Sequence, residues 1–363
     1  MFNMNGVRKF IACVMSEAAK EVMPKDDMFD DNPFEKKRES FEEKRIQSTN
    51  EVNRIKVDAS CFDVKIIPTD VSDIEASIKG NTLKNPPIEF ITEVVEKEFC
   101  VKVQMKSGTF IGSLHLEILV PRESRFKRIS VITSTGDIEI SEKMLVEMLE
   151  INTSSGDVSL EKLRKLNCIN INTSTGDVYV NYGVETSSLQ IETSAGDVEV
   201  SDDISADEID INTSTGSIEL SDTVHCKNIK ITTGAGEVDI DTITASGCVY
   251  IKTSTGDIDV NSAKANSFQI ETSAGEVDVN ATFAKVDINT SMGDVTVETE
   301  AKQDISMLIN TKSGDVSIDL DNIGTINQTI KSRTGDIDCN YSGNGIYTAD
   351  IRVTTSTGDI EIS

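Results

Sequence analysis

Residues 128–140 read RISVITSTGDIEI, and residues 249–260 read VYIKTSTGDIDV. The shared unit, I-x-I-x-T-S-T-G-D-I-x-I, recurs to the end of the sequence. Its glycines stand at 136, 156, 176, 196, 216, 236, 256, 275, 293, 314, 335 and 358, at six intervals of 20 residues and then 19, 18, 21, 21 and 23. Five residues before each of these glycines stands Val or Ile, from Val131 to Val353, and two residues after it Val or Ile again, from Ile138 to Ile360. Four residues after, eleven units are aliphatic and one has Cys339. Apolar residues at alternate positions on either side of a glycine predict two strands joined by a tight turn, with those side chains on one face. β-Branched residues suit such a pleated, half-buried surface.

A unit of about 20 residues cannot bury its own apolar face, so neighbouring units must stack to bury it. The expectation is an all-β fold: a parallel β-solenoid of about twelve coils, roughly 58 Å long at strand spacing. Right-handed winding follows from the general preference of parallel crossovers. Three residues before the glycine, eleven units have Thr and one has Ser332. Parity turns this hydroxyl inward, where a stacked column can be satisfied from coil to coil. A weaker apolar signal about eight residues after the glycine (Met144, Val184, Ile204, Val224) predicts a short third strand in each coil.

Outside the repeat the chain follows other rules. Val7, Phe10, Ile11, Val14, Met15, Ala18 and Val22 recur at helical spacing, which predicts an amphipathic helix over residues 1–24. Phe10, Ile11, Val14 and Met15 are its candidate partner-docking residues, against the alternative of a helix that caps an open sheet end. Residues 25–51 carry mixed charge and read as a linker, and residues 52–128 hold short alternating runs without a fixed period, an irregular β lead-in. The solenoid is expected over residues 129–363. Charge divides at the same point: residues 1–128 hold 21 basic and 22 acidic side chains, residues 129–363 hold 14 and 40.

The T-S-x-G-D-[IV]-x-[IV] repeat, preceded by the lead-in VPRESRFKRISV at residues 120–131, resembles the bacterial adhesin-type domain family of unknown function. The resemblance spans residues 52–363. It implies a β-solenoid and no reaction, and envelope-associated or cytoplasmic settings.

The residue after the glycine is Asp at 137, 157, 177, 197, 257, 294, 315, 336 and 359, Glu at 237 and 276, and Ser at 217. A second outward acidic column runs through Glu139, Glu199, Glu219, Asp239, Asp259, Asp278, Asp338 and Glu361. Carboxylates one coil apart repel by about 1 kcal/mol even at the dielectric of water. One reading has the Asp column accept hydrogen bonds from turn amides; the other makes it a cation-collecting or basic-partner stripe. The calcium nonapeptide GGxGxDxUx is absent, so weak divalent binding is the most expected of it, with no dedicated metal site and no cofactor.

A net charge of −27 argues against nucleic acid and against anionic membrane surfaces. His115 and His225 stand far apart with no nucleophile motif, and acidic pairs repeat in nearly every coil where a catalytic pair would be singular. A non-catalytic scaffold presenting flat acidic faces to a protein or cell-envelope partner is therefore expected. The alternatives are a carbohydrate-active β-helix enzyme and a weak cation-binding assembly protein; binding to ice through Thr rows would need those rows outward. Seven scattered cysteines without a C-x-x-C pair, no run long enough for a transmembrane span and no signal-peptide pattern point to the cytoplasm. The last strand, DIEI at 359–362, has no capping segment after it, so a homodimer through the C-terminal edge is expected.

Overall fold

The strands that flank each glycine stack in register, as their alternation requires. In the computed structural model, which describes residues 39–82, 86–106, 112–141 and 144–363, Arg164–Thr173 lies parallel between Leu145–Asn152 and Val184–Ala195, with Ile171 between Ile151 and Ile191. After the turn, Val178–Asn181 lies between Val158–Glu161 and Val198–Val200. Equivalent residues therefore form columns along the axis. The Val/Ile columns five before and two after the glycine are at most 1% exposed in every coil except that of Gly335. Each such side chain contributes roughly 1.5–3 kcal/mol on burial. Met144, Val184, Ile204 and Val224 are buried too, which confirms a third inward segment. Where the glycine interval shortens to 19 and 18 residues, Phe268 and Phe283 fill the interior edge to face, with ring centroids 6.2 Å apart.

The turn is built on Thr and Gly together. The Gly176 amide donates to Thr173 Oγ1 at 3.2 Å, and that hydroxyl donates to the carbonyl of Gly156, one coil back, at 3.4 Å. Thr213 and Thr233 donate likewise to Gly196 and Gly216, at 3.2 and 3.0 Å. The column is satisfied from coil to coil, with backbone carbonyls as acceptors. Thr272 and Thr311 are exceptions, their buried Oγ1 atoms lacking a partner. Glycine is required by close approach: a Cβ on Gly176 would stand 1.9 Å from the Gly156 carbonyl oxygen. At Gly293 a φ of +134° adds a conformational reason.

At the N-terminal end the expected irregular lead-in is corrected. Arg54–Asp58 and Asp63–Thr69 form a complete coil in repeat register, with Ile55 beside Ile129, Val57 beside Val131 and Val64 beside Ile138. Its corner, Ala59–Phe62, lacks the T-S-T-G signature, and that hides it in the sequence. Glu98–Met105 and Gly112–Pro121 form a further level stacked on the outer side of this coil. The order along the axis is thus 98–105 with 112–121, then 54–69, then 125–140, out of chain order. Antiparallel strands flank this outermost level: Ile88–Val95 beside Glu98–Met105, and Ile74–Thr82 beside Gly112–Pro121. Glu39–Gln47 pairs antiparallel with Ile74–Thr82, so part of the expected linker 25–51 is an edge strand. Its alternating charges suit an edge, where one weakly apolar side suffices and charge opposes further pairing.

The C-terminal end is also out of chain order. Tyr347–Thr357 pairs with Ile305–Asn310 on one side and Ile323–Thr334 on the other, setting Val353 between Ile309 and Ile330. Ile360–Ile362 lies between Val316–Asp321 and Ile337–Cys339. The expected open strand, DIEI at 359–362, is therefore covered on both sides. The outermost coil is that of residues 323–339, where Ile337 is 47% exposed while its column neighbour Ile360 is 1% exposed.

Candidate interaction surface

The Asp column beside the glycines is a ladder of carboxylates holding backbone amides. Asp63 Oδ1 accepts from the Asp137 amide (3.1 Å), Asp137 from Asp157 (3.0 Å), Asp157 from Asp177 (3.0 Å), Asp177 from Asp197 (2.9 Å) and Asp197 from Ser217 (2.8 Å). Further along, Asp257 accepts from Glu276 (2.8 Å), Asp294 from Asp315 (2.8 Å), Asp315 from Asp359 (2.7 Å) and Asp359 from Asp336 (2.7 Å). The amides that follow Ser217, Glu237 and Glu276 in the column, those of Glu237, Asp257 and Asp294, receive no such bond. The short Asp side chain fits this reach, and a charge-assisted bond to each amide offsets repulsion along the column. Asp63, outside the recognisable repeat, starts the ladder; its D-V-K-I context was the only signal for it.

The second acidic column has a different character. Glu199, Glu219, Asp239, Asp259 and Asp278 stand side by side in five successive coils. Partial burial, and then the neighbouring carboxylates, hold the Glu199, Asp239 and Asp278 carboxyls above their ordinary range. Next in the same column, the Tyr179 hydroxyl is pushed up to about 12 by burial and by the charges of Asp177 and Asp157. This face is a strip of uncompensated negative charge, roughly 19 Å long for four coil spacings.

The face formed by the strands before the glycines is mixed. Lys230 pairs with Asp210 at 3.4 Å and Lys252 with Glu271 at 3.0 Å, the latter hydrogen bond holding the Glu271 carboxyl below its ordinary range. Two open troughs of about 430 and 410 Å³ cross it, one lined by Gln190, Asp210, Lys230 and Tyr250, the other by Glu271, Asn289 and Asn310. Both are shallow surfaces of the repeat. His115 stands in register with Asp63 and Lys79, and His225 with Ser205 and Thr244, with the stacked coils between them. The two histidines are not brought together. The six described cysteines are free thiols. Phe10, Ile11, Val14 and Met15 lie outside the described residues. Among the described residues no helix is long and apolar enough to cross a membrane, and no three His, Cys, Asp or Glu side chains converge to hold a metal ion. The Thr column three before the glycine is inward, so it offers no row to an ice surface.

Uniform coils, a backbone-committed Asp column and long regular faces define a parallel β-solenoid of repeat type. The chain belongs to the Toastrack DUF4097 family, which it matches over residues 52–205 and 186–363. No curated protein matches it. Among solved structures it is similar to a proposed adhesin of Parabacteroides merdae, at 12% identity over 89% of this chain and 96% of that one, with a TM-score of 0.34. A proposed lipid-binding protein of Parabacteroides distasonis is 14% identical over 90% and 97%, TM-score 0.34. A proposed cell-adhesion protein of Clostridium sporogenes is 9% identical over 89% and 99%, TM-score 0.22.

Proposed function

We propose that this chain is a non-catalytic interaction module, a rigid solenoid that presents its flat acidic face to a basic surface on a protein or cell-envelope partner. The observation that carries the reading is the strip Glu199–Glu219–Asp239–Asp259–Asp278. Its five carboxyls stand in register, those of Glu199, Asp239 and Asp278 with raised proton affinity, so a cationic partner would relieve repulsion as well as add contacts. Work in the cytoplasm is part of the reading, supported by the free thiols. Pairing of two copies through the C-terminal end of the stack is also part of it.

The test uses a defined cationic probe, a fluorescent oligolysine peptide, against the whole chain and the variant E219Q/D239N/D259N. The variant is expected to bind at least tenfold more weakly. A control that removes three acids from the Asp ladder, D137N/D157N/D197N, is expected to lose less. Equal loss in both variants, or none in the first, would remove the acidic face as the binding surface.

A further inference from the structure

The outermost coil, residues 323–339, departs from its neighbours in a patterned way. Seven residues before the glycine, eleven coils are apolar and this one has Gln328; it also carries Ser332 and Cys339 where the others have Thr and an aliphatic residue. Ile330, Ser332 and Cys339 are half-buried and Ile337 is exposed. Among the described residues no strand lies on the outer side of Ile323–Thr334 or Ile337–Cys339, so one edge of each keeps unpaired backbone groups.

Charge is ordered about the corner. The strand before Gly335 carries exposed Lys331 and Arg333 on its outer face, while Asp336, just ahead of the strand Ile337–Cys339, and Asp338 within it are exposed after the glycine. Arg352, beside Thr329 in the coil beneath, and Lys312, whose carbonyl accepts from the Thr357 amide one coil further on, extend the basic arm. These four are among only 14 cations over residues 129–363, and none makes an ion pair among the described residues. In contrast, Asp359, Glu361 and Asp315 extend the acidic arm.

We infer that two copies of this chain join end to end at this coil, about a two-fold axis through the Thr334–Gly335 corner. Such an axis exchanges the two arms and lays the strand before the glycine antiparallel on the strand after the glycine of the second copy. Counting outward from the corner, Lys331 meets Asp338 of the second copy and Arg333 meets Asp336. On the inner side Ile330 meets Cys339 and Ser332 meets Ile337. Both parities match: charge meets opposite charge on the outer side, and on the inner side half-buried Ile330 meets half-buried Cys339 while half-buried Ser332 meets the exposed Ile337. The interface is isologous, so every contact is made twice and the assembly closes at two copies. An anionic ligand on Lys331 and Arg333 fits less well, because Asp336 and Asp338 stand a few residues away and Ile337 would stay exposed.

This assignment rests on the self-association reading, and the experiment separates the two. Light scattering and sedimentation of the whole chain at tens of micromolar should show a dimer. K331E/R333E and D336K/D338K should each weaken it more than tenfold, with the circular dichroism of the folded solenoid unchanged. An equimolar mixture of the two variants should restore the dimer, because each interface then carries opposite charges twice over. The combined variant K331E/R333E/D336K/D338K should dimerise alone. A wild-type dimer with no recovery in the mixture would overturn the corner axis and leave self-association standing. A wild-type monomer would overturn both, and polyphosphate binding that requires Lys331 and Arg333 in that monomer would give the corner to an anionic polymer.

Discussion

Asp177 offers a test of what the column beside the glycines is for. Its Oδ1 accepts the Asp197 amide at 2.9 Å, and Tyr179 donates to its Oδ2 at 3.4 Å. A hydrogen bond to a charged group contributes about 1.5–3 kcal/mol. Against this stand Asp157 and Asp197, each repelling Asp177 by about 1 kcal/mol if the charges sit one coil apart in water. Asp177→Glu keeps both repulsions and moves the carboxylate out of reach of the amide, so it should cost about 1.5–3 kcal/mol. Asp177→Asn keeps an acceptor contributing about 0.5–1.5 kcal/mol and removes both repulsions, so the variant should be as stable as the parent or more so. Asp177→Ala should fall between. Urea unfolding at neutral pH gives the order, and any advantage of Asn should fade in concentrated salt, where the Debye length falls to about 3 Å. If Glu matches Asp, or Asn is the least stable of the series, the carboxylates are not there to hold amides.

Two further predictions follow from the same columns. Thr213 is buried and donates to the Gly196 carbonyl, so Thr213→Val should cost about 1 kcal/mol, while Thr272→Val, which removes a buried hydroxyl without a partner, should be neutral or stabilising in the same urea assay. The carboxyls of Glu199, Asp239 and Asp278 bind protons more tightly folded than at their ordinary values of 3.8–4.5. Their contribution to stability is therefore largest at acid pH and is lost as pH rises from those values through the raised ones. The thermal midpoint at low salt should increase as pH is lowered from neutrality into the raised range of those carboxyls; a steady decrease over that interval would contradict it.

The solenoid was legible because its columns are periodic. Val or Ile at fixed offsets from twelve glycines leaves one face to bury and one way to bury it. The inward Thr was legible from parity, although its acceptor, a glycine carbonyl one coil back, is visible only once the coils are stacked. Stacking order was not legible. Residues 54–69 form a coil whose corner, Ala59–Phe62, lacks both Thr and Gly, so only I-K-V at 55–57 and V-K-I at 64–66 mark it. At the other end the repeat TSTGDIEI at 355–362 matches the interior pattern well, because it is interior. The departures at Gln328, Ser332 and Cys339 belong to the coil that faces outward, and they were the available signal. Edge strand Glu39–Gln47 was hidden by its charge, which backbone pairing tolerates on a strand that is solvated on one side.

The Asp column commits its carboxylates to backbone amides, so the acidic columns are expected to attract a divalent ion only weakly. Calorimetric titration of the whole chain with calcium tests it most directly. Weak binding without defined stoichiometry, abolished by moderate salt, is the predicted result; saturable sub-micromolar sites in a fixed ratio to the coils would contradict it.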